Sequence, residues 1–553
     1  ALGGDSILSL QVVARARKRG LTLTPRQVFL QPSLRELALA AVEAGTAAAA
    51  VAGTSDGPVP LTPIQRWFFG LDLARPSWWN QIAWLETADP VDPAALSRAL
   101  DQVAGAHEAF RLRFRREPSG WVQTLVPGPA ALPLTVHDLS ELPRAALSLQ
   151  EGWDLGEGPL ARAAWFGEGT GGVLAVAVHH LIVDGVSWRI LLDDLAGALA
   201  GEPPSTAFGF AAHARALGDR PVPAAPVPAG RCRLPMDRGV PDLTGTAGRI
   251  STAFDPAETA LITVDAPAAS RQPVDALVLA AVARALSDLG GGLLPVVVEG
   301  HGRDVPDADL SRTVGWFTAF RTLALPLGLE ATPDEAAEAL AGAADGLPAD
   351  PADWPEVSVN YLGRIADAAG GSGWRLRREP GVPVSAPENR RPFALDLVAL
   401  VAGGRLEVTW LFAAGIDAAT AERWAVRFKA ALLAFSGVLV AVLLFSPTIV
   451  DPTRELFAPA LAVTAMDVLL KVGNNAWRAV ADLALYSLIA LAVYLLFVAV
   501  RWPIERWWKD RHGQPASEPD EDPRTLRERM EEDDDLPIRD YGRERSGRME
   551  PRI

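Results

Sequence analysis

Residues 173–188 read VLAVAVHHLIVDGVSW. Val173 to Val178 is a short apolar run rich in valine, which reads as a buried strand. From Arg189 the order is RILLDDLA, with apolar residues on a helical period, and Asp184-Gly185 marks a turn between the two. Two imidazoles therefore stand where a strand ends and a loop begins, a place where a rigid scaffold commonly holds chemistry. Successive strand side chains point to opposite faces. His179 and His180 are expected to divide the work: one reaches a cleft, the other packs or hydrogen-bonds inside. A histidine at a strand end is more often a satisfied core residue than a base, so a catalytic reading must rest on more than the pair.

The chain has 553 residues, room for several domains, and 49% of them are hydrophobic, enough for real cores. A net charge of −15 argues against nucleic acid as a partner. One cysteine, Cys232, excludes an internal disulfide framework and fits a reducing compartment. Seven histidines without a Cys/His cluster give no zinc signature, so no metal is expected.

In chain order, Ile7, Leu10, Val13 and Ala14 make one helical face, with Arg15, Arg17, Lys18 and Arg19 in the last turn and Gly20 as its stop. Ser6 then sits at a helix N-terminus behind two glycines. A phosphate attached there would meet free N–H groups and the positive end of the dipole; the alternative is a plain N-cap. Gly45 to Pro60 reads as a flexible linker. Thr62 and Pro63 open a helix, as cap and first residue. Trp78, Trp79, Asn80 and Gln81 follow, the aromatics read as core filling or a tunnel lining. Ala94 to Phe110 reads as a helix, Leu112 to Phe114 and Trp121 to Val126 as strands, and Gly218 to Pro235 as a crossover between two lobes. Val296 to Val298 reads as a strand ending in Glu299, a carboxylate whose pKa desolvation could raise. Asp396 to Leu400 and Leu406 to Phe412 alternate as strands, and Ala418 to about Ala434 reads as a closing helix. Ala430 to Val450 and Leu483 to Val500 are uncharged, with basic residues flanking their outer ends, which suggests a membrane hairpin with both ends cytoplasmic. Gly513 to Ile553 alternates acidic and basic clusters and should be disordered.

The strings carry a resemblance. HHLIVDG (179–185) followed by VSW resembles the HHxxxDG motif of the condensation-domain superfamily of non-ribosomal peptide synthetases, and its DGVSWRI continuation resembles the epimerization branch. PIQRWFF (63–69), EGHGRD (299–304), VGWFT (314–318) and VNYLG (359–363) resemble further epimerization motifs, with Asp304 and Val359 as departures. LGGDSILSLQ (2–11) resembles the phosphopantetheine site of a peptidyl carrier domain, and Pro32 to Ala38 its closing helix. A whole carrier is a four-helix bundle whose first helix would precede Leu2, so the chain reads as cut from a longer protein.

The resemblance implies an α/β fold of two chloramphenicol-acetyltransferase-like lobes in a V, preceded by a partial carrier helical bundle. The implied order is a partial carrier (1–44), linker (45–57), N-lobe (58–225) and C-lobe (226–434); the resemblance stops there, and the membrane hairpin (435–512) and disordered charged tail (513–553) are read from composition alone. It implies His180, Glu299, Asn360 and Tyr361 as catalytic residues, His179, Asp184 and Gly185 as structural at the site, and Ser6 as bearer of covalent 4'-phosphopantetheine. The implied activity is L-to-D epimerization of a carrier-bound aminoacyl or peptidyl thioester, by deprotonation and reprotonation at Cα. A condensation domain forming amide bonds and a non-catalytic, membrane-tethered carrier-docking domain are the alternatives. The implied partners are a peptidyl carrier domain, an upstream adenylation domain and a downstream condensation domain. The expected location is cytoplasmic for the catalytic region, and the apolar runs of the tail suggest membrane insertion there.

Overall fold

The computed structural model describes residues 56–167, 171–204, 209–218, 224–303, 309–364, 373–377 and 383–445, with isolated residues and short runs between 12 and 43. In that first part Val12, Val13 and Ala16 are helical, and Leu34–Ala40 forms the helix expected there. Ser6 and Asp304 lie outside the described residues, as do residues 446–553.

Helix α1 (Pro63–Gly70) stands near the start of the N-lobe, just after a short strand at Gly57–Val59. Pro63 takes the first position, and the Gln65 side chain accepts the Thr62 backbone N–H at 2.9 Å. The lobe's main sheet is built from β1 (Asn80–Thr87), β2 (Leu134–His137), β3 (Ala161–Phe166) and β4 (Gly172–His179), in the order β1-β4-β3-β2. β4 lies inside the sheet and is buried from Val173 to His179, which accounts for its unbroken apolar run. Helix α2 (Pro93–Ala106) starts at Asp92, whose carboxylate accepts from the N–H groups of Ala94 and Ala95. It is shorter than expected. The chain is extended at His107 and resumes as a 3-10 turn over Glu108–Arg111. The break lets the buried His107 ring reach Asp194 at 2.9 Å. Helix α3 (Gly185–Leu199) follows β4 through a single 3-10 turn, His180–Ile182.

The C-lobe sheet contains β5 (Gly248–Ala253), β6 (Gly292–Gly300), β7 (Ala319–Leu327), β8 (Val357–Arg364), β9 (Leu395–Ala402) and β10 (Arg405–Phe412). Their order is β5-β10-β9-β8-β6-β7, with Ala344–Asp345 beyond β7. β8 runs parallel to β6 and to β9. β9 alternates strictly: Leu395, Leu397, Ala399 and Val401 are buried in the lobe's core with helices α4 (Val274–Ala285) and α5 (Ala418–Phe445). The opposite face of β6, β8 and β9 carries Glu299, Ser358, Asn360 and Asp396.

The C-lobe part of the sequence lends chain to the N-lobe sheet. Arg375–Arg377, from the C-lobe part of the sequence, adds to the outer edge of β1, with Arg375 opposite Glu86 and Arg377 opposite Trp84. Beyond it, the Asn80 N–H donates to Val384 O at 2.6 Å and the Ala386 N–H to Trp78 O at 3.0 Å. The fully buried Asn389 accepts from the Arg75 N–H at 2.8 Å and returns a bond to Arg75 O at 3.0 Å.

Contrary to expectation, the closing helix does not stop near Ala434: α5 continues to Phe445, and Leu432, Leu433, Phe435 and Ser436 are buried in it. The Arg284 guanidinium lies 4.2 Å over the Phe435 ring. The first residues of the expected membrane segment, as far as Ser436, therefore lie in the lobe's core. A charge-free helix looks alike in sequence whether lipid or a protein core receives it. Among the described residues no helix is long and apolar enough to cross a membrane. The rest of the proposed hairpin and the charged tail fall outside the described residues.

Candidate active site

The two histidines sit in different surroundings. His179 is fully buried; its Nε2–H donates to Pro76 O at 2.9 Å, and its Nδ1 accepts the Leu181 N–H at 3.2 Å. Burial, aided by the neighbouring His180, lowers its pKa to about 3, so it is a neutral structural ring. His180, first residue of the 3-10 turn, is only part-buried. Desolvation also lowers its pKa, opposed by the Asp184 charge and the bond to Val183. Trp316 packs on the imidazole with ring centroids 4.3 Å apart.

The hydrogen bonds fix the tautomer of His180. Trp188 Nε1–H, which can only donate, points at Gln81 Oε1 at 2.7 Å. That sets the Gln81 amide with its NH2 towards His180 Nε2, 2.8 Å away. Nε2 therefore accepts, and Nδ1 carries the proton, donated to Val183 O at 2.9 Å. Gln81 stood beside a pair of tryptophans in the sequence, and nothing there pointed to His180. Their meeting comes from the pairing of β1 with β4, which sets Asn80 opposite His179 and Gln81 opposite Val178.

Asp184 was expected to hold its loop, and it also joins the lobes. Its carboxylate caps α3 through the Ser187 N–H at 2.8 Å and accepts the Phe317 N–H at 3.0 Å. Arg303 grips both its oxygens, at 2.7 and 3.0 Å. Ser187 Oγ donates to Gly315 O at 2.8 Å and accepts from the Gly315 N–H at 3.1 Å. Arg303 also donates to Ser187 Oγ and Thr313 O. Burial would raise the Asp184 pKa, but Arg303 and the two backbone donors outweigh it and hold the carboxyl below its ordinary range. Sequence reading assigned no partner to Arg303 or Ser187.

Glu299 is the last residue but one of β6 and pairs with Phe320 of β7. Its pKa is pushed up to about 7, first by desolvation, then by the charges of Asp396 and Asp184. The side chain is nonetheless open to solvent. Asp396 is raised to about 6 by burial, against the pull of Arg391, which it meets at 3.0 Å. Asp184 is thus an electrostatic neighbour of His180 from one side and of Glu299 from the other.

β8 runs beside β6 in register, Val359 with Val298, so Asn360 follows next to Glu299 on the same face. Tyr361 alternates away and packs partly buried against the C-lobe core, where the strand bulges between Tyr361 and Arg364. Gly185 is the first residue of α3. Among the described residues no group of His, Cys, Asp and Glu could hold a metal ion.

Comparison with known proteins bears on this arrangement. Residues 55–214 match the Condensation domain family, and residues 1–40 the Phosphopantetheine attachment site family. The chain is 33% identical over 492 residues to a linear gramicidin synthase of Brevibacillus parabrevis, covering 78% of this chain and 9% of that protein. It is 35% identical over 469 residues to Chondramide synthase cmdD of Chondromyces crocatus, covering 74% and 12%. The chain thus spans a small part of each relative. Among solved structures, the epimerization domain from the third module of tyrocidine synthetase B superposes with a TM-score of 0.62 at 24% identity, over 71% of this chain and 99% of that one. The X-domain from teicoplanin biosynthesis gives 0.52 at 23%, over 71% and 96%. At these identities the likeness is one of fold.

Proposed function

For a chain that carries a condensation-family domain and a phosphopantetheine attachment site of the non-ribosomal peptide synthetase kind, we propose epimerization at Cα of a carrier-bound aminoacyl or peptidyl thioester. The covalent 4'-phosphopantetheine of the carrier supplies the thioester linkage on which the substrate is presented; its proposed attachment residue is Ser6. What supports the reading is the placement of two titratable groups, one from each lobe, on either side of Asp184. His180 is a neutral imidazole with a defined Nε2 lone pair, and Glu299 is a carboxyl poised near neutrality.

The steps follow. His180 Nε2 takes the α-proton of one enantiomer, and the C–H electron pair moves into the thioester carbonyl to give an enolate. Protonated Glu299 returns a proton to the other face of Cα, and the stereocentre inverts. The enzyme is left with imidazolium and carboxylate, the state that runs the reverse reaction, and solvent exchange resets it. A positioned base is worth roughly 10²–10⁴-fold. A donor at the enolate oxygen adds to that, and Asn360, set beside Glu299 by β8, is the amide proposed for it. Tyr361, turned towards the core, is proposed to hold that strand in place. Condensation requires an acceptor amine and no second proton carrier; Glu299 at its raised pKa favours epimerization over it.

The test uses the full chain and a separately supplied, intact carrier loaded with a panel of amino acids. Solvent deuterium uptake at Cα is measured. Uptake in the unaltered chain, lost at least a hundredfold in His180→Ala and strongly reduced in Glu299→Gln, is the expected result. Full exchange in Glu299→Gln removes the pairing. No exchange, with amide formation once a second loaded carrier is added, means condensation. Carrier binding without either reaction means a docking domain.

A further inference from the structure

We infer that Gln81, locked by Trp188, is the positioning residue of His180: it holds the imidazole in the Nδ1–H tautomer and keeps the Nε2 lone pair aimed and occupied until substrate arrives. The inference rests on the epimerization reading for its consequence, but its geometry stands alone. Trp188 Nε1–H to Gln81 Oε1 is 2.7 Å, Gln81 Nε2–H to His180 Nε2 is 2.8 Å, and His180 Nδ1–H to Val183 O is 2.9 Å. Every donor in this relay is defined once the indole N–H is placed, because that group has no acceptor capacity. Trp188 comes from α3, Gln81 from β1 and His180 from the turn between β4 and α3. Three elements thus converge on one ring.

A neutral imidazole divides its protons between two nitrogens unless the surroundings choose. Here a carbonyl takes the Nδ1 proton and an amide faces Nε2. The wrong tautomer would set Nε2–H against the Gln81 NH2. When substrate enters, its α-C–H replaces that NH2 at Nε2, and the freed amide protons remain beside the reacting centre as donors. The charged and titratable groups around the ring are His179 and Asp184 on its own loop, with Arg303 and Glu299 from the C-lobe about Asp184.

The experiment is carried out on the full chain with 15N-labelled histidine; seven histidines make the ring spectrum tractable, and His180→Ala assigns the signal. The unaltered chain should show a single Nδ1–H tautomer for His180. Gln81→Ala should mix the tautomers. Gln81→Glu, whose carboxylate accepts rather than donates, should favour Nε2–H and move the ring's titration up by a pH unit or more. Trp188→Phe should loosen the preference partway. An unmoved His179 signal reports an intact fold in each variant. In the deuterium-uptake assay, Gln81→Ala should lower kcat about 10–100-fold with little change in KM, and Gln81→Glu should shift the acid limb of the pH profile upward. A His180 tautomer and titration unaltered in both Gln81 variants overturns the inference, whatever the activity. Altered tautomers in a chain that exchanges no α-proton uphold the positioning role and overturn the epimerization reading instead.

Discussion

At Asp184 one buried carboxylate caps a helix, accepts a backbone N–H from the other lobe and pairs with both terminal nitrogens of a fully buried guanidinium. Replacing it with Asn keeps the shape and leaves Arg303 charged in the interior. A broken buried pair costs about 3–5 kcal/mol, so Asp184→Asn should lower the urea midpoint by that equivalent; an unchanged midpoint would mean the pair contributes nothing net. Much at this scale was legible from sequence. Alternation along β4 separated His179 from His180, and an acid at a strand end pointed to a raised pKa for Glu299. Arg303 was not legible as the partner of Asp184, because the two stand 119 residues apart and only the assembled lobes join them. Gln81 was hidden for the same reason: a strand's register, rather than any local pattern, decides which of its side chains meets an imidazole.

Among the elements, the loop that follows β6 shows what a motif's glycine is for. Gly302 has φ +61, and a Cβ there would run into the Phe317 carbonyl. The strain of a left-handed residue is about 1–3 kcal/mol, and the overlap with fixed backbone adds to it. Gly302→Ala should therefore lower the melting temperature by several degrees and displace Arg303 from Asp184. A variant as stable as the parent would show that this loop yields freely. Three of the strands expected in these sheets, at 173–178, 396–400 and 406–412, came within one or two residues of their observed bounds, since period and turn signals are local. The helices were less faithful. A break at His107 divides what apolar spacing joined, because its side chain has a buried partner in Asp194. Helix α5 ran on where a charge-free stretch suggested lipid, because composition does not say which apolar medium receives a helix.

Across the molecule, buried titratable groups pull stability in opposite directions. His179 and His213 have pKa values lowered to about 3 and about 4 by burial, from an ordinary 6.5. The folded chain binds fewer protons than the unfolded one in those windows, so their contribution rises with pH and is complete above 6.5. Glu299, raised from 4.5 to about 7, acts the other way: its folded form keeps a proton that the unfolded chain has lost, and stability falls across that range. Asp396, raised from 3.8 to about 6, adds to the fall. Removing Glu299 as Gln should therefore make stability climb more steeply between pH 4.5 and 7 than in the parent, as urea unfolding at a series of pH values would show. Parallel curves would mean Glu299 titrates normally.

The strand Arg375–Arg377 closes the outer edge of β1, yet it is encoded almost three hundred residues later. On a ribosome making about 5–20 residues per second, β1 emerges roughly 15–60 s before the strand that closes its edge. Through that interval β1 presents a row of unpaired N–H and C=O groups to whatever passes. The order of synthesis thus opposes the order of assembly. A neighbouring nascent chain offers the same backbone chemistry as the missing strand, and a chain stalled or cut before Arg375 keeps that edge open for good.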